Sequence, residues 1–275
     1  MELIGVVELD LVDTTRSTPQ IGAYDGSPRR ELPTTVYVPA GDHAAPLIIL
    51  AHGFNGHPRK FTALARHWAE AGYVVAVPRF PVTNDEFTVL DPCERGARLA
   101  DLPEQADDVT FVIRELAAAD HSDDASGLAG RIDPHRLGLY GLSLGSLTVW
   151  STVSRNGFAH SRVGAMVQSD GGFPGDLGML SDVPFPVLIA HSDVDPVFPA
   201  DRILREFEVL PAPSFLLLLH GLAHAAAGEN TPTAADEAYR AATTIFWHRY
   251  LGGREREPFP DDVAIDGITT FVADG

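Results

Sequence analysis

The chain has 275 residues, 45% of them apolar and 8% aromatic, enough to bury a full core and unlike collagen-like or disordered chains. Its formal charge of −18 repels phosphate backbones and anionic headgroups, which argues against nucleic acid as a partner and otherwise serves solubility. The single cysteine, Cys93, excludes an intramolecular disulfide; set among acids in L-D-P-C-E-R with no adjacent histidine, it reads as a passive thiol.

The N-terminus, M-E-L-I-G-V-V-E-L-D, lacks the basic and apolar regions of a secretory signal. That predicts a cytoplasmic protein, or a secreted one if a signal has been removed. Apolar runs such as 215–219 are too short to span a bilayer, so no membrane insertion is expected.

In chain order, residues 3–12 and 34–38 read as edge strands in antiparallel pairing. Residues 47–51 read as a buried strand, and 58–71 as a helix on the spacing of Phe61, Leu64, Ala65 and Trp68, stopping at Gly72. A strand at 74–77 precedes a long loop, 79–102. Residues 103–119 read as a helix, with Val109, Val112, Ile113 and Leu116 on one side. A short strand at 137–140, a helix at 144–155 and a strand at 163–167 follow. Residues 170–182 are Gly-rich and irregular. Then come a strand at 186–190, a helix at 200–208, a strand at 215–219 and a closing helix at 234–251. The tail from 254 either packs loosely or adds an edge strand. Alternating strands and helices predict an α/β fold with a mostly parallel sheet covered on both faces, as one domain over 1–275.

Gly141-Leu142-Ser143-Leu144-Gly145 matches G-x-S-x-G between a predicted strand and a predicted helix, the context a nucleophile elbow requires. A serine hydroxyl needs a base to act as a nucleophile. In that arrangement an acid and then a histidine follow at the ends of later strands. The segment 191–199 (H-S-D-V-D-P-V-F-P) follows one strand, and 220–224 (H-G-L-A-H) follows the next. Asp195, held in a proline-flanked turn, is the preferred acid, ahead of Asp193 and Asp170; His224 is the preferred base, ahead of His220. His52-Gly53-Phe54-Asn55-Gly56 follows the strand at 47–51 and fits a loop donating one oxyanion N–H from Phe54, with a second from Leu144. Phe54 and Asn55 are then the substrate-binding candidates, and His52 orients the loop by a hydrogen bond. No histidine or carboxylate spacing specifies a metal site, and no cofactor is expected.

The segments 33–39, 47–56, 71–84, 105–116 and 131–145 together resemble bacterial dienelactone-hydrolase-like and platelet-activating-factor-acetylhydrolase-like members of the α/β-hydrolase superfamily, and more distantly the cutinase-like polyester hydrolases. The resemblance spans about residues 5–253. It implies an α/β-hydrolase fold without a large cap domain, a triad of Ser143, Asp195 and His224, and oxyanion donors at Phe54 and Leu144. Leu142 stands where the group often has histidine. True dienelactone hydrolases carry a cysteine at the elbow, so Ser143 argues against dienelactone as substrate. The expected activity is serine carboxylic-ester hydrolysis on short-to-medium acyl esters. The alternatives are the same machinery on polyester, thioester or amide bonds, and an inactive hydrolase-fold binding protein.

Overall fold

A computed structural model of the chain describes residues 4–22, 24–86, 92–119, 127–155, 162–254, 257–260 and 263–274, with backbone alone at Pro92 and Cys93. The expectations for residue 3, for 87–91, for the Cys93 side chain and for the remaining tail positions lie outside the described residues.

Among the described residues nine strands form one sheet: β1 (Gly5–Asp13), β2 (Arg30–Val38), β3 (Ala45–Ala51), β4 (Val74–Pro78), β5 (Ile132–Leu142), β6 (Val163–Ser169), β7 (Val187–Ser192), β8 (Ser214–Leu219) and β9 (Thr269–Asp274), in the order β1-β2-β4-β3-β5-β6-β7-β8-β9. The strands from β4 through β3, β5, β6 and β7 to β8 run parallel; β1, β2 and β9 pair antiparallel at the edges. The helices are α1 (Thr62–Glu70), α2 (Pro92–Leu99), α3 (Leu102–Ala119), α4 (Leu144–Ser154), α5 (Ala200–Val209) and α6 (Asp236–Tyr250).

The two-residue period of a strand sorts its side chains between two cores. In β3, Leu47, Ile49 and Ala51 face the cluster built with Val109 and Val112 of α3, Trp150 of α4 and Ile203 of α5. Ile48 and Leu50 face the opposite cluster, with Trp68 of α1 and Phe246 and Trp247 of α6. Both faces of the sheet are therefore covered, which is why the central strands read as unbroken apolar runs rather than alternating ones. No described helix is long and apolar enough to cross a membrane.

Four expectations need adjustment. The helix read over 58–71 opens as a 3₁₀ turn, Pro58–Phe61, because the His57 ring caps the Arg59 N–H at 3.1 Å before α1 begins. The loop at 79–102 contains α2, a helix of eight residues that is mostly polar and carries Gly96. The strand read at 137–140 extends over 132–142, since Ile132 and Asp133 also pair with Ala45 and Pro46. The irregular stretch 170–182 closes with a 3₁₀ turn, Leu177–Asp182, after Asp176 caps the Gly178 N–H. Of the two possibilities for the tail, the edge strand is realised as β9 on β8.

A buried ion cluster fixes α3 to the sheet. Arg30, fully buried at the start of β2, donates to Asp108 at 2.7 and 2.5 Å and to Asp101 at 3.1 and 2.9 Å. Arg16 adds a 2.8 Å bond to Asp108. Removing the cation leaves two carboxylates buried with one remaining partner between them. Arg30→Met is expected to lower unfolding stability by about 3–5 kcal/mol, the range for breaking a buried ion pair. Urea unfolding of the two proteins checks this; equal midpoints and slopes would show that the cluster contributes nothing net.

Candidate active site

The carboxyl ends of β5, β7 and β8 lie at one edge of the parallel sheet, and each carries one of the three polar groups read from the sequence. β5 ends at Leu142, and α4 begins at Leu144. Ser143 fills the single residue between them, with φ 55° and ψ −118°. A non-glycine residue at positive φ stores strain of order 1–3 kcal/mol and persists only where its surroundings dictate it. Here the surroundings do so by close approach. A Cβ on Gly141 would sit 2.3 Å from the Gly145 carbonyl oxygen, and one on Gly145 would sit 2.0 Å from that of Ala51. The glycines of the motif are therefore required by packing of strand and helix backbones, as the sequence pattern implies. The Ser146 hydroxyl, bonded to Gly141 O at 2.6 Å, ties the first turn of α4 back to the end of β5.

The Ser143 hydroxyl lies 2.8 Å from His224 Nε2, and His224 Nδ1 lies 2.6 Å from Asp195 Oδ2. The other Asp195 oxygen accepts the N–H groups of Val197 at 2.7 Å and Phe198 at 3.0 Å, so the D-P-V-F-P turn wraps its own carboxylate. With Oδ1 taken by those two donors, Oδ2 accepts the Nδ1–H of His224, which leaves Nε2 to accept from the serine. The Asp195 side chain is fully buried while the His224 side chain is 21% exposed, so the imidazole can be reached from solvent and the carboxylate cannot. Phe198 stacks on the His224 ring at 5.9 Å between centroids.

The rejected alternatives have other partners. His220 bonds Asp193 at 2.8 Å and Thr270 of β9 at 2.8 Å, and Asp193 also accepts the Gly221 N–H at 2.8 Å. That pair closes the turn after β8 and does not touch His224. Its bond to His220 holds the Asp193 carboxyl below the usual carboxylate range. Asp170 is buried under the acid loop. Asp170, His191 and Asp195 bring possible metal-ligand atoms within 4.8 Å of one another. Their carboxylate oxygens already accept from Ser192, Ala225, Val197, Phe198 and His224, so the group is an internal hydrogen-bond network.

The loop after β3 packs against the elbow: a Cβ on Gly53 would lie 3.1 Å from Ser143 Cβ and 3.6 Å from its hydroxyl oxygen. Phe54 and Asn55 follow that glycine in the chain. Asn55, at φ 58°, donates its N–H to Thr83 O at 2.7 Å, and its side-chain carbonyl accepts from Arg98 at 2.9 Å. Arg98 also donates to Val82 O at 2.7 Å and Asn84 O at 2.9 Å, and its guanidinium carbon lies 4.3 Å from the centre of the Phe54 ring. This arginine clamps the loop, a role that no local pattern in the sequence signals because it depends on where α2 docks. Asn55 is thus engaged in shaping the loop, beyond the substrate contact expected of it. Leu144 opens α4 and is nearly buried.

His52 has the orienting part expected of it. Its Nδ1 donates to Gly53 O at 2.8 Å, and its Nε2 accepts the Phe80 N–H at 3.1 Å. Full burial pushes its pKa down to about 4. Between that value and the ordinary 6.5 the unfolded chain binds a proton that the folded chain refuses, so His52 makes stability fall as pH falls through this window, by about 3 kcal/mol in all. Urea unfolding at pH 7 and pH 4.5 should therefore show a smaller acid loss in His52→Gln than in the parent. Parallel losses in the two proteins would sink this assignment.

No protein-family model matches this chain, and no curated protein matches it.

Proposed function

We propose that this chain is a serine hydrolase of the α/β-hydrolase fold that cleaves carboxylic esters through an acyl-enzyme. The observation that carries the reading is the continuous hydrogen-bonded run from Ser143 through His224 to Asp195, with bonds of 2.8 and 2.6 Å. Nucleophile, acid and base occur in that chain order after β5, β7 and β8 of a mostly parallel sheet, which supports the same reading.

Ser143 attacks the ester carbonyl while His224 Nε2 takes the hydroxyl proton. Asp195 holds the tautomer of His224 and stabilises the imidazolium that forms. The Phe54 and Leu144 N–H groups receive the developing oxyanion. His224 then returns the proton to the leaving alcohol, the C–O bond breaks and the acyl group remains on Ser143. Water, deprotonated by the same imidazole, attacks the acyl-enzyme and releases the carboxylic acid. The chain's negative charge favours departure of that anionic product.

The connection from β6 to β7 holds one 3₁₀ turn and no longer helix, so this stretch supplies no helical lid. Without a lid, a long acyl chain has little apolar wall to bury against, and each buried methylene contributes at most about 0.8 kcal/mol. A fluorophosphonate probe is expected to label the protein at Ser143, located by mass spectrometry of the modified peptide. p-Nitrophenyl esters of two to six acyl carbons should be hydrolysed faster than those of twelve to sixteen. Labelling elsewhere, or none, counts against the hydrolase reading. Labelling at Ser143 with a profile peaking at long chains, or a rate jump above the substrate's solubility limit, would replace the open cleft with a lipase-like site.

A further inference from the structure

The mechanism above leaves unused a carboxylate lying directly behind the acid and base loops. Asp170 follows β6, is fully buried, and has φ 39°, a left-handed conformation that costs energy for a side chain of this kind. Its Oδ1 accepts the Ser192 N–H at 2.7 Å; its Oδ2 accepts the Ala225 N–H at 2.9 Å and lies 3.2 Å from the Ser192 hydroxyl. Ser192 ends β7, three residues before Asp195. Ala225 is the residue after His224 and itself sits at φ 59°. One carboxylate therefore joins the strand that delivers the acid to the loop that delivers the base.

We propose that Asp170 is a positioning residue for the reaction proposed above, holding His224 in line between Asp195 and Ser143. The inference rests on that functional reading. Two backbone donors and a hydroxyl converge on the carboxylate, a pattern only an acceptor can satisfy, and charge-assisted bonds of this kind are about twice as strong as neutral ones. Asparagine is nearly isosteric but must turn an N–H₂ toward one of the two backbone N–H groups. Either the strand tie or the loop tie is then lost. A displacement of His224 by about 1 Å is enough to cost on the order of 10²-fold in rate.

The Asp170 charge also acts on its surroundings. Facing it are His191 of β7, whose Nδ1 lies 3.6 Å from Oδ1, Asp195 of the acid loop, and the phenols of Tyr140 on β5 and Tyr239 on α6. Both tyrosines are neutral, burial raising their pKa first and the Asp170 charge adding to it. His191 donates its Nε2–H to Phe198 O at 2.9 Å, so in the neutral ring Nδ1 carries no proton.

The test compares Asp170→Asn, Asp195→Asn and Ser143→Ala with the parent on a short p-nitrophenyl ester over pH 5 to 9. Asp170→Asn should lower kcat by about 10- to 100-fold with KM little changed. Fluorophosphonate labelling of Ser143 in Asp170→Asn should slow in parallel with kcat yet still reach one label per chain, which loss of the folded fraction would not allow. A parental kcat and labelling rate would overturn the proposal. So would a loss in Asp170→Asn deeper than that in Asp195→Asn, because Asp170 would then be the acid itself. Parental activity in Ser143→Ala would instead bring down the hydrolase reading, a distinguishable outcome. If Asp170→Asn does not fold, amide hydrogen exchange on the parent decides. The Ala225 N–H, in an irregular loop, should be protected as strongly as that of Ser192 in β7, and exchange at an open-loop rate would overturn the tie.

Discussion

Ser143→Ala is expected to reduce kcat for ester hydrolysis by on the order of 10⁶, the scale of nucleophile loss in serine hydrolases that work by the same three groups. The substitution removes the hydroxyl that accepts the acyl group and the 2.8 Å bond to His224, and it changes nothing else in the elbow. Alanine at φ 55° is as strained as serine, and Gly141 and Gly145 still set the close approach of strand and helix. Circular dichroism and the thermal midpoint should therefore stay near those of the parent while activity disappears. A small rate over water would remain from the oxyanion donors and substrate binding alone. If the folded variant kept a tenth of the parental kcat, Ser143 would not be the nucleophile.

Asp195→Asn should cost on the order of 10⁴ in kcat, again with the fold intact. The Asp195 carboxylate accepts on both oxygens: His224 on one side, the Val197 and Phe198 N–H groups on the other. An amide can keep only one side. If its oxygen stays with the two backbone donors, its N–H₂ faces His224 Nδ1 and drives the ring to the tautomer with a proton on Nε2. That ring cannot accept from Ser143. Asp193→Asn should be mild, because Asp193 pairs with His220 and Gly221 at the partly exposed turn after β8. Steady-state kinetics on both variants separates the possibilities; a deep loss in Asp193→Asn with a shallow one in Asp195→Asn would move the acid.

Legibility in the sequence followed locality. The run 47–51 announced a strand buried on both faces. The pair Gly141 and Gly145 around Ser143 announced a strand-to-helix turn too tight for side chains, and the backbone distances at both glycines agree. α2 is hard to read in the sequence because it is only eight residues long, contains Gly96 and is mostly polar. With it goes Arg98, whose fixing of the 53–56 loop depends on where that helix docks, and no local pattern records that. The place of Asp170 after a strand is visible in the sequence, but its bonds to Ser192 and Ala225 are not, since they span 22 and 55 residues.

The sequence by itself determined the alternation of elements, the elbow, and the short set of carboxylates and histidines at strand ends, because each is encoded within a few neighbouring residues by periodicity or steric need. Only the tertiary structure decided which carboxylate meets which histidine: Asp195 with His224, Asp193 with His220, and Asp170 with the backbone of both loops. Those choices turn on ångström differences between loops brought together by strand order, across separations of 29 and 81 residues in the Ser143–His224–Asp195 chain. The paths of those loops follow from the packing of the sheet and its helices, which composition and spacing along the chain do not carry.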